Sequence, residues 1–277
     1  MRRNSLMGEL TGEFFGTLVL ILFGVGVVAQ VVAAGSGDHN AITFAWGFGV
    51  TLGVYVAARL SGAHLNPAVT IALAAFKGFE WGKVAPYCVA QTAGAFVAAL
   101  IVRFTYADFI NAADSGHTYL TQGIFSTQAG SLDTTHAQVS LTTAFFDQIV
   151  GTAILVFVIF ALTTATNNPP MANLGPLIVG FLVVAIGMAW GANAGYAINP
   201  ARDFGPRLAS WVTGYGTAWR SASGDHPIYF WIPILGPVIG GLIGGALWKF
   251  LCEPFLPEDE NVTDGAPPIS EPFERAG

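Results

Sequence analysis

Six stretches of this chain, at residues 14–34, 41–58, 84–102, 149–165, 174–190 and 228–248, are apolar over nearly the length that a hydrocarbon core demands. A bilayer interior about 30 Å thick needs roughly 20 such residues in a helix. Six of them in 277 residues leave an all-α polytopic membrane protein as the fold class. The fourth and fifth stretches are short by strict count, and each extends through flanking Thr, Asn or Gly. Only 10% of residues are charged, against roughly 25% in a soluble domain. Eleven Lys and Arg with 17 Asp and Glu could not cover a water-exposed surface of this size.

The net charge of −6 does not mark a basic or acidic partner, because seven of the acids lie after Cys252. The remaining body is near neutral, which argues against nucleic acid. Cys88 and Cys252 sit far apart in apolar runs and read as small buried hydrophobes. Arg2 and Arg3 precede the first span, but the apolar run is too long for a signal peptide and no clear small-residue cleavage site follows, so the first helix is expected to stay. In a six-span model Arg2, Arg3, Arg59, Lys77, Lys83, Lys249 and Arg275 fall on one side; Arg103, Arg202, Arg207 and Arg220 fall on the other. The positive-inside rule then puts both termini in the cytoplasm of a cell membrane. A single channel domain at 1–252 is expected, with an outside loop at about 105–140 and a disordered acidic tail at 253–277. Asn261-Val262-Thr263 matches a glycosylation acceptor, but its cytoplasmic placement argues against use.

Two further apolar stretches, at 67–76 and 200–211, are too short to span and suit re-entrant segments. They expose an internal repeat. Asn66-Pro67-Ala68 returns as Asn199-Pro200-Ala201, 133 positions later, and at the same offset Gly47-Phe48 meets Gly180-Phe181 and Gly62 meets Gly195. Near the start of each half Gly16-Thr17 meets Gly151-Thr152, and 90–100 and 235–247 share a face rich in Gly and Ala. Small residues at such spacing let membrane helices approach closely. Repeat one covers about 8–104 and repeat two about 141–252, each with three spans and one short segment. Three is odd, so the second half enters the membrane inverted, and the short segments dip in from opposite faces. Inverted repeats of this kind place the site at the midplane.

Asn before Pro starts a helix for physical reasons. The Asn oxygen accepts a first-turn N–H, and Pro at the first helical position loses no bond. The amides of Asn66 and Asn199 are then left as midplane donors. The residues leading in, Gly62-Ala63-His64-Leu65 and Gly195-Tyr196-Ala197-Ile198, must be non-helical. Irregular backbone at this depth is tolerated where it lines a watery cavity. The carbonyls of Gly62, Ala63, His64, Gly195, Tyr196 and Ala197 would form an acceptor ladder along a pore.

The stretches Ser61-Gly62-Ala63-His64-Leu65-Asn66-Pro67-Ala68-Val69-Thr70 and Gly195-Tyr196-Ala197-Ile198-Asn199-Pro200-Ala201-Arg202-Asp203-Phe204-Gly205-Pro206 resemble the two signature loops of the major intrinsic proteins, the aquaporin family. The resemblance covers about residues 8–252. It implies six transmembrane helices and two re-entrant half-helices in a right-handed bundle, a homotetramer with one pore per subunit, and no cofactor or metal. Selectivity in such pores rests on diameter, lining donors and electrostatic barriers. The family's narrowest point maps to Trp46, 20 residues before Asn66, to Gly187, 12 before Asn199, and to Tyr196 and Arg202. Water-selective members typically carry His where this chain has Gly187, which leaves space. Trp46 and Tyr196 would form an apolar corner, with Arg202 offering donors on the opposite side. Asp203 after Arg202 resembles the glycerol-conducting branch, where Phe is common in place of Tyr196. Glu13 would brace the first loop. Its repeat-mate in the family is a second Glu, where this chain has Gln148 beside Asp147.

Blander readings stand beside these. Trp46 could be an interfacial anchor, Arg202 could tie down loop carbonyls, Asp203 suits a loop brace, and His64 suits a hydrogen-bonded wall. The resemblance implies a passive channel for glycerol, other small neutral polyols and water, in the lipid bilayer. A water-selective channel and a secondary transporter are the rivals. An enzyme is disfavoured, because no catalytic triad, metal cluster or phosphate loop falls in matched spans.

Overall fold

The computed structural model describes residues 5–130, 139–220 and 228–257. Arg2, Arg3, Arg275, the Asn261 acceptor motif and the tail from 258 onward lie outside them. All regular elements among the described residues are helices. The first repeat contributes α1 (Leu6–Val32), α2 (His39–Ser61), the short α3 (Pro67–Phe76) and α4 (Trp81–Thr105). Two short helices follow, α5 (Ala107–Ala113) and α6 (Tyr119–Gln122). The second repeat gives α7 (Leu141–Thr163), α8 (Gly175–Ala194), the half-length α9 (Pro200–Val212) and α10 (Ile232–Leu247). A π turn over Trp248–Cys252 and a 3-10 turn over Glu253–Phe255 continue from α10. Six of these helices, 20 to 27 residues long with their extensions, are apolar enough to cross a membrane.

Local chemistry sets the ends. Ser5, Asp38 and Ser140 accept first-turn N–H bonds at the starts of α1, α2 and α7. Gly62 and Gly195, at φ +85° and +69°, close α2 and α8 in the left-handed region that spares a residue without Cβ. The two short stretches start as the sequence indicates, at Pro67 and Pro200. The second is not an apolar helix, however. Arg202, Asp203, Arg207 and Ser210 are all buried along α9; Asp203, Arg207 and Ser210 are compensated by hydrogen-bonded partners there, while among the described residues the Arg202 guanidinium has only the Trp46 ring.

The halves interlock. α1 packs on α2 and α4, and α7 packs on α8 and α10. Each half-helix crosses to the other repeat, α3 lying against α10 and α9 against α4. α2 meets α8 at the pair the repeat had aligned: a Cβ on Gly47 would lie 2.6 Å from the Gly180 carbonyl oxygen, and one on Gly180 would lie 2.5 Å from that of Gly47. Bare backbone on both sides is therefore what lets the two repeats touch. Gly94 of α4 and Gly240 of α10 abut the carbonyls of Phe14 and Ile149 in the same way.

The segment expected as a polar outside loop is more ordered than its composition suggests. Ile124, Phe125, Ser126, Thr127 and Gln128 are buried. Gln122 Nε2 donates to Ser210 Oγ at 2.9 Å, and Thr121 pairs with the Tyr215 hydroxyl at 2.9 Å. Burial pushes the Asp114 carboxyl up, but hydrogen bonds from Thr121 and Thr118 outweigh it and hold the group below its usual range. At the other end, Glu253 binds Lys77 at 3.1 Å and Lys249 at 3.2 Å, tying the turn after α10 to the end of α3.

Candidate functional site

Asn66 and Asn199 cap α3 and α9 as their sequence context indicates. Asn66 Oδ1 accepts from Ala68 N at 2.9 Å; Asn199 Oδ1 accepts from Ala201 N at 3.0 Å and Arg202 N at 3.2 Å. Their amides are not wholly left over. Asn66 Nδ2 donates to the Ile198 carbonyl and Asn199 Nδ2 to the Leu65 carbonyl, both at 2.8 Å. Each NH2 thus spends one hydrogen on the opposite repeat and keeps one. This reciprocal pair welds the two re-entrant loops at their tips.

The loops themselves are bent against their preferences. Ala63, Leu65, Tyr196 and Ile198 all hold positive φ, between 35° and 53°. Non-glycine residues there cost on the order of 1 kcal/mol or more each. Glu13 holds the first loop: Oε1 accepts from His64 N at 2.9 Å and Ser61 Oγ at 2.5 Å, and Oε2 from Leu65 N and Gln91 Nε2, both at 2.7 Å. Gln148 holds the second differently. Its oxygen accepts from Ile198 N at 3.0 Å and its NH2 donates to the Ala194 carbonyl at 3.0 Å. The carboxylate braces two loop N–H groups, the amide one N–H and one C=O, so the two halves are not held alike. Asp147 accepts from Asn193 Nδ2 at 2.9 Å and lines neither cavity described next.

Two cavities run through the bundle. The larger, about 430 Å³, is lined by the loop residues Gly62, Ala63, His64 and Ala197 together with aliphatic side chains such as Leu20, Val50, Leu155 and Val183. The smaller, about 140 Å³, lies under the 119–128 segment and includes Gly195 and His39. Among the described residues, Trp46, Tyr196 and Arg202 alone line both. These three side chains therefore stand where the cavities meet. No described hydrogen bond ends on the carbonyls of Gly62, Ala63, His64, Gly195, Tyr196 or Ala197, whereas those of Leu65 and Ile198 are taken by the asparagines.

Sequence reasoning expected Arg202 across a gap from the apolar corner. Instead its guanidinium lies 4.0 Å over the Trp46 ring, so donors and aromatic face adjoin. The guanidinium makes no hydrogen bond to a described residue. Gly187 also differs from expectation. It lines neither cavity, because the Tyr196 ring already fills its bare side: a Cβ there would lie 2.8 Å from Tyr196 Cζ and 2.9 Å from Thr43 Cγ2. The missing side chain makes room for Tyr196 rather than for open space.

Asp203 sits behind the site. Oδ2 accepts from Thr127 N at 2.8 Å and Thr127 Oγ1 at 2.6 Å, and Oδ1 binds Arg207 Nε at 2.8 Å in a wholly buried ion pair. Arg207 also donates to the carbonyls of Thr127 and Ala218. This pair clamps the 119–128 segment over the smaller cavity. His64 is a wall residue: the Thr70 hydroxyl gives its hydrogen to the Asn66 carbonyl at 2.9 Å, so at 3.2 Å it accepts from His64 Nδ1–H. Sequence reasoning missed Thr127, Arg207 as a clamp, and His39. Gln91, a polar residue within an apolar span, was the one signal that could have pointed to Glu13's partners.

A family model described as major intrinsic protein matches residues 1–248. The glycerol uptake facilitator protein of Escherichia coli (strain K12) is 40% identical over 264 residues, 94% of each chain. The propanediol uptake facilitator of Citrobacter freundii is 40% identical over 257 residues, 92% of this chain and 95% of that one. The solved structure of the aquaglyceroporin from Plasmodium falciparum superposes with a TM-score of 0.81 at 32% identity, covering 91% of this chain and 99% of that one.

Proposed function

The chain belongs to the major intrinsic protein family, and from that premise we propose that it is a passive membrane channel for glycerol and other small neutral polyols, which also passes water. The observation that carries the reading is that, among the described residues, Trp46, Tyr196 and Arg202 alone line both cavities. They set aromatic faces beside an unpaired guanidinium, and Gly187 gives the Tyr196 ring its place. A linear polyol has an edge of C–H groups for the rings and an edge of hydroxyls for Arg202. Beyond the constriction the larger cavity combines the same two chemistries, loop residues whose carbonyls accept no described hydrogen bond and aliphatic side chains. The free hydrogens of Asn66 and Asn199 orient a hydroxyl oxygen at the midplane, and Asp203 with Glu13 and Gln148 keeps the loops in register.

Ions are kept out chiefly by desolvation. Each half-helix N-terminus resembles about half a positive charge. At about 4 Å and an effective dielectric near 20 it repels a cation by on the order of 2 kcal/mol. Two ends and Arg202 add to the several kcal/mol that stripping an ion's hydration costs. The channel domain comprises residues 1–252 and assembles as a homotetramer in the cell membrane. Both termini are cytoplasmic, a reading supported by the Lys and Arg distribution.

Passive flux is supported by the cavity linings, which among the described residues hold no Asp or Glu to bind a coupling ion. Glu13, the acid embedded beside the loops, already accepts four hydrogen bonds and has no room for a transported ion. Proteoliposomes given an inward proton or sodium gradient are expected to equilibrate radiolabelled glycerol and go no further. Accumulation above the external concentration would identify a coupled transporter instead.

A further inference from the structure

α8 carries two bare positions one turn apart, Gly187 and Gly191, and two rings fill the hollow they leave. A Cβ on Gly187 would lie 2.8 Å from Tyr196 Cζ. One on Gly191 would lie 2.8 Å from His39 Cε1 and 3.2 Å from Tyr196 Cδ1. His39 and Tyr196 therefore converge over Gly191. His39 stands in the first turn of α2, where the Asp38 side chain caps the helix through Ala41 N at 2.9 Å. Its Nε2 lies 3.1 Å from the Gly187 carbonyl oxygen. A carbonyl can only accept, so Nε2 carries the proton. The ring is thus tied to the backbone of the same residue against which Tyr196 packs.

What holds Tyr196 in place matters, because no hydrogen bond does. Its hydroxyl is buried without a partner among the described residues. The ring's position is fixed by packing, with Gly187 against its Cζ edge and His39 sharing the space over Gly191 beside it. Both rings also line the smaller cavity. We propose that His39 is a positioning residue of the constriction: it confines the Tyr196 ring to the Gly187 side and so sets the width left beside Arg202 and Trp46. The inference rests on reading the chain as a glycerol channel. Without the imidazole the space over Gly191 opens, Tyr196 can shift into it, and wider solutes gain access.

The test compares glycerol with 2-methylglycerol, which adds one methyl to the middle carbon, in the same proteoliposomes. Their flux ratio does not depend on how much protein inserts. One added carbon at a tight apolar contact is worth on the order of tenfold discrimination. His39→Ala is expected to raise the 2-methylglycerol to glycerol ratio by about 3- to 10-fold. His39→Gln, which keeps a donor for the Gly187 carbonyl and most of the bulk, should stay within about twofold of the parent. In a Tyr196→Ala background, His39→Ala should leave the ratio where it was, since the group it acts through is gone. If His39→Ala does not insert, His39→Asn, too short to reach Gly187, takes its place. An unchanged ratio in the single variant, or the same rise in the Tyr196→Ala background, would overturn the proposal. Glycerol flux no faster than in protein-free vesicles for the parent would overturn the channel reading itself.

Discussion

Gly187→His is expected to cut glycerol flux by about 10- to 100-fold while water flux falls no more than about threefold. The reason is steric before it is polar. The first side-chain atom at position 187 would already lie 2.8 Å from the Tyr196 ring and 2.9 Å from Thr43. An imidazole there must drive the Tyr196 ring out, toward Trp46 and Arg202, so the constriction loses width to two rings at once. A three-carbon chain needs that width, and a water molecule does not. Gly187→Ala should fall between, because one Cβ, 2.8 Å from Tyr196 Cζ, must displace the ring but by less than an imidazole does. Stopped-flow light scattering of both solutes in the same vesicles, normalised to inserted protein, checks this. Equal loss of the two fluxes would point to a collapsed pore. Unchanged glycerol flux would place the constriction away from Tyr196.

Asn66→Asp and Asn199→Asp should each be more damaging than their conserved shape suggests. Aspartate would preserve the cap, since its oxygen can still accept from Ala68 N or Ala201 N. It cannot replace the donor that reaches across to Ile198 or Leu65 at 2.8 Å. A carboxylate oxygen would instead face a carbonyl oxygen at that distance, in a buried site. An unpaired buried charge costs about 3–5 kcal/mol. The weld between the loops should open, with thermal stability in detergent reduced and glycerol flux lowered at least about tenfold. A protonated carboxyl could restore the cross-bond but would spend its only hydrogen on it, leaving none for solute. Variants that fold with the parent's melting temperature and glycerol flux would show that the cross-repeat bonds carry little.

The parts of this site that sequence revealed are those governed by local rules. Pro67 and Pro200 begin their helices because capping and ring geometry act within one turn, and the 133-residue offset locates both copies. Gly47 and Gly180, aligned by that offset alone, proved to touch across the repeat axis. What the sequence hid depends on contacts distant in the chain. The polar 119–128 segment reads as an exposed loop until Asp203 and Arg207 are seen to draw it inward through Thr127. Gly187 reads as vacant space because nothing in its neighbourhood announces that the ring of Tyr196 fills it. The second hydrogen-bond partner of each asparagine lies 132 or 134 residues away, beyond any local pattern. The Gln148 departure was visible, but its meaning required knowing that its amide turns to Ala194.

The central claim is that a polyol passes between Trp46, Tyr196 and Arg202. The most direct measurement is light scattering of proteoliposomes exposed to an inward glycerol gradient, alongside protein-free vesicles and a water-only osmotic step. Shrinkage followed by reswelling much faster than in protein-free vesicles, with a rate linear in glycerol concentration, is the predicted result. Rapid shrinkage with reswelling no faster than in protein-free vesicles would show a pore that admits water and refuses glycerol, and would contradict the account.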